Sequence, residues 1–309
     1  MKRNILVTGG AGFIGSNLVR RLVNDGHEVT VLDNLLRGNK LYPEVESRIR
    51  LVQGDVRNVE DIRKAMQGVD FVFHLAAVLG VDVVAEQPMV TMEVEVQGLK
   101  NVVDAVLEAG IPKMIYASTS GVYGHGKIED GITEDVAVAP DTSYAIAKRY
   151  NEIYLQSTHQ ERGLESFSLR FFNIYGPNQD NRMVIPRFME MAMRGEDITV
   201  YGNGSQTRDF TFIEDAVESC VQLMERVSGC EIFNIAKEDE IHIKDLAQLI
   251  IKVTGSRSEI KFMPAPQARI EYEVGRRFGS SEKLKQFTGY QPDTSLEAGL
   301  RKIFSTVSV

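Results

Sequence analysis

Residues 8–16 read Thr-Gly-Gly-Ala-Gly-Phe-Ile-Gly-Ser, directly after the apolar residues 5–7 and directly before a helical pattern. This order predicts a strand that ends, turns sharply and opens a helix. Glycines remove the side chains that would keep a ligand away from the backbone, and the freed N–H groups at a helix N-terminus favour a pyrophosphate. The glycines are Gly9, Gly10, Gly12 and Gly15. The stretch predicts a dinucleotide site, against the alternative of a turn that serves packing alone.

A second apolar run, residues 27–32, is followed directly by Asp33. An acidic residue about 20 positions after such glycines binds the hydroxyls of the adenosine ribose. A carboxylate at this place also repels a 2′-phosphate, so the sequence predicts NAD rather than NADP.

The whole chain has 309 residues and a formal net charge of -8, enough for one large domain or two coupled ones. No basic stripe is present, so nucleic acid is not expected as a partner. No long uncharged apolar run and no signal-peptide pattern occur, which predicts a cytoplasmic protein that does not cross a membrane. The two cysteines lack the spacing of a zinc site, and no metal is expected.

Strand-like and helical runs alternate through the first half of the chain. The strands are predicted at 4–8, 28–33, 50–54, 69–75, 113–118 and 166–171, and the helices at 13–25, 59–67, 89–109 and 144–162. Nearly continuous apolar strands with helices between them predict an α/β fold, a doubly wound parallel sheet of the Rossmann type. Its ligands are expected at the carboxyl ends of the strands.

After about residue 175 the elements become shorter and Gly, Pro, Asn and Arg become frequent between them. We therefore expect a dinucleotide-binding domain over 1–175 and a smaller mixed domain over 176–309, partly interleaved with the first. Helices are predicted there at 183–194, 213–226 and 243–254, and strands at 197–201 and 231–235. The long helices 89–109 and 144–162 either pair with a second subunit as a four-helix bundle or only pack on the sheet.

Two groups of side chains suggest chemistry. Tyr144 and Lys148 have helical i, i+4 spacing, so they share a face, and an ammonium beside a phenol favours the phenolate. This makes Tyr144 a candidate general base; the alternative is an ordinary exposed pair. Residues 118–124, Ser-Thr-Ser-Gly-Val-Tyr-Gly, follow a predicted strand, where a hydroxyl either binds substrate or only caps the strand.

Taken together, these motifs resemble the extended short-chain dehydrogenase/reductase superfamily, and within it the NAD-dependent nucleotide-sugar epimerase/dehydratase branch. The resemblance is carried by residues 8–16, 74–77, 118–124, Tyr144 with Lys148, 170–177 and 206–211. It implies a Rossmann domain with a small C-terminal substrate domain. It also implies a tightly held NAD that is reduced and reoxidised within one turnover, a nucleotide-diphosphate sugar substrate, and a homodimer.

By the same resemblance, Thr119 hydrogen-bonds the sugar 4-OH, Tyr144 takes its proton, and Lys148 holds the nicotinamide ribose and tunes the tyrosine. The cofactor contacts that it implies are Gly9, Gly12, Phe13, Ile14, Gly15, Asp33, Asn34, Asp55, Val56, Leu75, Ala76, Ala77, Tyr144, Lys148 and Phe171. The implied substrate contacts are Thr119, Ser120, Asn173, Arg187, Val200, Arg208 and Arg269.

Departures from the family pattern narrow the reaction. Dehydratases of this branch carry Asp and Glu where this chain has Ser120 and Gly121, and the decarboxylases carry Glu at the position of Gly121. Without those acids, removal and return of hydride at C4 is the simplest chemistry left, so the sequence predicts a 4-epimerase for a UDP-hexose or UDP-hexuronate. The alternatives are a 4-dehydrogenase or 4-ketoreductase with exchangeable cofactor, a UDP-glucuronate decarboxylase, or a 4,6-dehydratase.

Two further departures bear on the substrate. Glu95 stands where the family usually has Asn, near the cofactor or sugar, and is expected to alter substrate choice. Arg276 or Arg277 is a candidate partner for a uronate carboxylate, with a solvated loop as the alternative.

Overall fold

The computed structural model describes residues 2–78, 86–125, 130–226, 228–264 and 274–307. Its strands, in chain order, are β1 Asn4–Thr8, β2 Glu28–Asp33, β3 Ile49–Gln53, β4 Phe71–His74, β5 Lys113–Thr119, β6 Glu165–Phe171, β7 Asn173–Tyr175, β8 Ile198–Tyr201, β9 Thr207–Phe212, β10 Cys230–Ile235, β11 Glu240–His242 and β12 Ile260–Met263. Seven of them form one parallel sheet in the order β10-β6-β5-β4-β1-β2-β3. The predicted doubly wound α/β fold is confirmed.

The helices lie on both faces of this sheet. In chain order they are α1 Phe13–Asn24, α2 Pro43–Glu46, α3 Val59–Ala65, α4 Pro88–Met92, α5 Gly98–Glu108, α6 Ser143–Arg162, α7 Val184–Met193, α8 Ile213–Arg226, α9 Ile243–Thr254, α10 Glu282–Thr288 and α11 Leu296–Val307. A 3₁₀ turn covers Ser120–Tyr123. Across the described ranges, no helix is both long enough and apolar enough to cross a membrane.

The side chains of strand β1 show that both faces of the sheet are buried. Ile5 and Val7 belong to one buried core, which includes residues of α1 and α8, whereas Leu6 belongs to a second core with residues of α3 and α5. Successive side chains of a strand point to opposite faces, so a strand that is buried on both faces has to be apolar at every position. This is the continuous apolar run of the sequence.

The chain after residue 175 returns to the main sheet. Strand β10 pairs in parallel with β6, from Cys230 opposite Ser166 to Ile235 opposite Phe171. Residues 231–235, which the sequence pattern placed in the smaller domain, are therefore the edge of the large sheet. The remaining late strands form two small sheets, β11-β9-β7 and β12-β8. The domain boundary at residue 175 stays a prediction.

The predicted helix over 89–109 is not continuous. A π-helical turn, Glu93–Gln97, separates α4 from α5. Such turns widen a helix by one residue and occur frequently at functional sites. Here the turn buries the side chain of Glu95, which is 1% exposed. The interruption has no signature in the apolar pattern, which continues through it.

Candidate active site

The glycine loop, residues 8–16, requires glycine at Gly9 and Gly15, because neighbouring backbone atoms lie where a Cβ would be. Gly9 has a φ of +70°, and a Cβ on it would lie 2.6 Å from the backbone nitrogen of Ala76. A Cβ on Gly15 would lie 2.2 Å from the carbonyl oxygen of Gly9. Helix α1 starts after Gly12 with no side-chain cap and no acidic residue in its first turn. Its first N–H groups thus suit a pyrophosphate, and this cradle fits a dinucleotide.

Asp33 lies at the end of β2, beside the glycine loop. Its carboxylate accepts hydrogen bonds from the backbone of Ala11 at 3.0 Å and of Leu35 at 2.8 Å. Burial raises the pKa of Asp33, and these two bonds act against that rise. The carboxylate is therefore held in one place, next to a groove that leads to Asp55. An Arg57 side chain holds the pKa of Asp55 at about 2.

The groove along the strand ends collects most of the predicted cofactor contacts. Those that line it are Gly9, Gly12, Phe13, Asp33, Asn34, Asp55, Val56, Leu75, Ala76 and Ala77. Residues that the sequence did not suggest also line it, namely Arg37, Lys40, Val94, Gln179, Asp180, Arg182 and Met183. The last four belong to the segment between β7 and α7, beyond the predicted boundary at residue 175.

Three further predicted cofactor residues are not among those that line the groove. Ile14 packs partly buried on the main core, Gly15 is buried against Gly9, and Phe171 is 7% exposed at the end of β6. Their contact with a cofactor stays a prediction.

His74 connects the glycine loop to the middle of the sheet. Its Nδ1 shares a hydrogen bond of 2.7 Å with the Thr8 hydroxyl, and its ring stacks on Tyr116 at 5.8 Å. The side chain is 1% exposed. Burial, together with the nearby charge of Lys148, lowers the pKa of His74 to about 3. The histidine is therefore neutral at physiological pH and ties β1 to β4 and β5.

Tyr144 and Lys148 share one face of helix α6, as their spacing predicted. The helix starts after Thr142, whose hydroxyl accepts the N–H of Ala145 at 3.1 Å. The Lys148 Nζ lies 5.4 Å from the centre of the Tyr144 ring and donates a hydrogen bond of 2.8 Å to the carbonyl of Ala117. Burial raises the pKa of Tyr144 above its ordinary value, and the charge of Glu95 raises it further.

The hydroxyl loop, residues 118–124, has both partly exposed and buried side chains. Thr119 is partly exposed, and its hydroxyl accepts the N–H of Gly121 at 3.1 Å. Ser118 is buried and donates a hydrogen bond of 2.6 Å to Glu152. Ser120 is 6% exposed. Of the three hydroxyls, Thr119 is the accessible one, and the predicted substrate contact of Ser120 stays a prediction.

A buried charge network supports this loop from below. Arg170 donates two hydrogen bonds of 2.8 Å to the carboxylate of Glu152, and Arg149 donates a third at 3.0 Å. Arg170 also donates to the Tyr123 hydroxyl at 2.8 Å. Burial opposes the charge of Arg170, but the hydrogen bonds and charge of Glu152 raise the pKa of its guanidinium. The network thus joins α6 and β6 to the end of the hydroxyl loop.

The predicted substrate residues of the second half are spread over several elements. Asn173 is exposed at the start of β7. Arg187 lies over the ring of Tyr201 at 5.3 Å, and Val200 is fully buried in the main core. Arg208 donates to the carbonyls of Thr207 and Val274, at 2.7 and 2.6 Å. Arg269 lies outside the described residues.

The structure separates the two candidate arginines near the C-terminus. Arg276 is exposed and paired with Glu240 at 2.9 Å. Arg277 is half-buried and donates a hydrogen bond of 2.7 Å to the carbonyl of Gly124, the last residue of the hydroxyl loop. Burial and the charge of Arg208 lower the pKa of Arg277 to about 10, while Asp141 opposes this. Of the two candidate arginines, Arg277 is therefore the one that lies beside the hydroxyl loop.

Sequence reasoning missed one polar pair near this cation. His125, the residue after the hydroxyl loop, contacts the carboxylate of Asp141 through its Nδ1, and both side chains are exposed. The two residues are 16 positions apart, and only the folded chain brings them together.

Comparison with known proteins gives a consistent family. A family model described as "NAD dependent epimerase/dehydratase family" matches residues 5–236. The chain is 38% identical to the UDP-N-acetyl-alpha-D-glucosaminuronate decarboxylase of Bacillus cytotoxicus, over 98% of this chain and 97% of that protein.

Two solved structures are similar over nearly their whole length. The UDP-glucose 4-epimerase of Thermotoga maritima with UDP-glucose has a TM-score of 0.92 and 30% identity, covering 99% of this chain and 98% of that one. The UDP-glucose 4-epimerase of Thermus thermophilus in complex with NAD has a TM-score of 0.89 and 29% identity, with 98% of each chain covered. The resemblance drawn from the motifs is confirmed.

Proposed function

The chain belongs to the NAD-dependent epimerase/dehydratase family, with NAD as its cofactor, and we propose that it is a nucleotide-sugar 4-epimerase for a UDP-hexuronate. The observation that carries the proposal is the composition of the hydroxyl loop. Thr119 and the pair Tyr144 and Lys148 provide what oxidation at C4 needs, whereas Ser120 and Gly121 offer no carboxylic acid for a second proton transfer.

The chain's own groups account for the proton at the sugar 4-OH. Thr119 and Tyr144 bind this hydroxyl, and the Tyr144 phenolate accepts its proton as the C4–H bond breaks. Lys148 beside the ring favours the phenolate. NAD, held by the glycine loop and Asp33, would supply the acceptor for the hydride and the donor for its return. Rotation of the 4-ketosugar between the two hydride transfers presents the opposite face of C4, and Tyr144 then gives its proton back.

Arg277 supports a substrate with a carboxylate. A half-buried guanidinium whose pKa is lowered towards 10 by burial and by Arg208 gains from an anionic partner. A uronate carries its carboxylate on C5, next to the reacting C4. A 4-keto uronate is a β-keto acid and loses carbon dioxide when the carboxylate's electrons move into the ring. A cation held at the carboxylate keeps the negative charge there and opposes this loss.

The second candidate function is decarboxylation of the same class of substrate. The name of the Bacillus cytotoxicus relative favours it, since that protein is 38% identical over nearly its whole length. Decarboxylation starts with the same oxidation at C4 and acts on a substrate that carries the same carboxylate on C5. The two reactions therefore differ only in what happens to the 4-keto acid.

The test is product analysis without added cofactor. Purified protein is incubated with UDP-glucuronate, UDP-N-acetylglucosaminuronate and the neutral sugars UDP-glucose and UDP-N-acetylglucosamine, and products are read by mass and proton NMR. A uronate product of unchanged mass with an inverted C4 coupling pattern supports the epimerase. Release of carbon dioxide establishes the decarboxylase instead. Turnover that appears only with added NAD or NADH, in stoichiometric amounts, establishes a dehydrogenase or ketoreductase.

Two variants connect the reaction to the site. Tyr144→Phe removes the base and is expected to lower turnover by about a thousandfold with NAD occupancy unchanged. Arg277→Gln is expected to reduce turnover of uronates more than that of neutral sugars, with Arg276→Gln as the matched control. Equal losses on both sugar classes would remove the argument for a uronate.

We also propose that the protein forms a homodimer through α4 and α6. These helices expose Met89, Val90, Ile146, Tyr150 and Ile153, apolar side chains that water does not favour. Sedimentation of the purified chain, compared with that of an Ile146→Glu/Ile153→Glu variant, tests this arrangement.

A further inference from the structure

Glu95 forms a buried ion pair with the lysine of the site. Its Oε2 lies 2.9 Å from the Nζ of Lys148, and each side chain is 1% exposed. No hydrogen bond compensates this oxygen within the described part of the chain, so the ammonium is the group that balances its charge. A buried carboxylate without a partner is costly, and the pair is therefore held together strongly.

The same residue also binds two other parts of the site. The Oε1 of Glu95 accepts the N–H of Val78 at 3.0 Å, in the segment after β4 that lines the cofactor groove. Its backbone carbonyl accepts the side-chain amide of Asn151 at 3.0 Å, one turn after Lys148 on α6. Both contacts come from a residue of the π-helical turn, and such turns occur frequently at functional sites.

We propose that Glu95 is a positioning residue: it fixes the ammonium of Lys148 between β5 and α6 and keeps a negative charge beside it, so that Tyr144 ionises only when a further cation binds beside its ring. This inference rests on the proposed role of Tyr144 as the base. The side chain of Glu95 is buried beside the lysine, and the expected effect of Glu95 on substrate choice stays a prediction.

The other titratable groups around the pair are neutral or paired with other side chains. Glu95 and Lys148 are therefore the charges that act on Tyr144. His74 of β4 is neutral, since burial lowers its pKa to about 3. Burial and the charge of Glu95 raise the pKa of Tyr116 of β5 well above its ordinary value, so it is neutral too. The carboxylate of Glu152, one turn after Lys148, accepts hydrogen bonds from Arg149 and Arg170. Burial raises the pKa of Tyr144 as well, and the charge of Glu95 raises it further.

The experiment is a spectroscopic titration of Tyr144 that needs no turnover. The chain has no tryptophan and ten tyrosines, so near-ultraviolet phenolate absorbance reports on tyrosines alone. The difference between a protein and its Tyr144→Phe counterpart isolates this one ring. Titrations compare the parent, Glu95→Gln and Glu95→Asp, each with and without Tyr144→Phe and at the same NAD occupancy. Glu95→Gln removes the charge at nearly constant shape, whereas Glu95→Asp keeps the charge.

We expect the Tyr144 midpoint in Glu95→Gln to lie lower by about one pH unit or more, and the midpoint in Glu95→Asp to stay with the parent. Equal midpoints in the parent and Glu95→Gln overturn the proposal, as do equal shifts in Glu95→Gln and Glu95→Asp, which indicate a purely structural role.

If Glu95→Gln does not fold, the double variant Glu95→Gln/Lys148→Met replaces it, because it removes both buried charges together. Its midpoint is expected at or near that of the parent, and a midpoint shifted as far as Lys148→Met alone contradicts the proposal. These titrations do not depend on which product the enzyme makes. A panel without an epimer would therefore overturn the proposed function and leave the result on Glu95 standing.

Discussion

The glycine loop and the hydroxyl loop occupy equivalent places, at the carboxyl ends of β1 and β5, yet they are built in opposite ways. The glycine loop has no side chains at its critical positions, and the neighbouring backbone comes within 2.6 Å of where a Cβ on Gly9 would be. The hydroxyl loop is supported by a buried carboxylate, because Glu152 accepts hydrogen bonds from Ser118, Arg149 and Arg170. We propose that the glycine loop offers backbone N–H groups to a ligand, whereas the hydroxyl loop presents Thr119 to the substrate beside Tyr144 of α6.

This difference has a physical reason. A pyrophosphate binds to backbone N–H groups and a helix N-terminus, which glycine spacing alone can arrange. Proton transfer needs side chains fixed to within a fraction of an ångström, and such precision requires a supporting layer. The comparison predicts that mutations below the hydroxyl loop act on the stability of the fold, whereas mutations in the glycine loop act on the cofactor.

The largest effect is expected below the hydroxyl loop. Glu152→Gln leaves the buried Arg170 without a charged partner, and the free energy of unfolding should fall by about 3 kcal/mol, as for other broken buried pairs. Denaturant unfolding measures this. NAD affinity at the distant glycine loop should change little once the protein is folded.

The matched control for that prediction is an exposed ion pair. Glu190 pairs with Arg194 at i, i+4 on α7, where both side chains are solvated, so Glu190→Gln should cost less than about 0.5 kcal/mol. If the two variants lose similar amounts, the buried network does not support the loop and the contrast between the loops fails.

A smaller effect is expected from His74, which connects the two loops through Thr8 and Tyr116. Because the folded pKa of His74 is depressed to about 3 from an ordinary 6.5, the unfolded chain takes up the proton first as the pH falls. The stability is therefore complete above the unfolded pKa and is lost as the pH decreases towards 3. Between pH 6.5 and about pH 5 the loss should be about 2 kcal/mol.

Unfolding experiments at several pH values measure this slope, and His74→Asn should flatten it while lowering stability throughout. His242→Asn, at an exposed histidine, should keep the parent slope. A slope that survives in His74→Asn would assign the acid sensitivity to other groups.

The sequence predicted the part of the molecule that depends on local patterns. The six predicted strands of the first half lie within two residues of the observed ends, because strands that are buried on both faces must be apolar throughout. The Gly9, Asp33 and Tyr144 positions follow from spacing along a single turn, strand end or helix. Ten of the cofactor contacts that the family resemblance implied line one groove.

The rest depends on contacts between distant segments, which no local pattern records. Glu95 meets Lys148 across 53 positions through a π-helical turn that leaves the apolar period intact. Strand β10 joins the main sheet although it lies between strands of the small sheets in sequence. Arg277 donates a hydrogen bond to Gly124, which lies 153 positions earlier in the chain. In each case the residue type suggested a role, but the partner was fixed only by the tertiary fold.

The smallest and most specific effect is expected in the glycine loop, at Gly9. Gly9→Ala places a methyl group 2.6 Å from the backbone of Ala76, which lines the same groove and must then shift, and NAD affinity should fall about tenfold, or about 1.4 kcal/mol. Gly26 offers a matched control, because it has a φ of +88° and nothing lies within 4 Å of the position that a Cβ would occupy.

Both substitutions carry the left-handed strain of about 1 kcal/mol, so both should lower stability, measured by thermal unfolding. Only Gly9→Ala should weaken NAD binding, measured by calorimetric titration. If Gly26→Ala weakens NAD binding equally, the loss comes from general destabilisation, and the glycine loop is no longer distinguished from the hydroxyl loop by a direct contact with the cofactor.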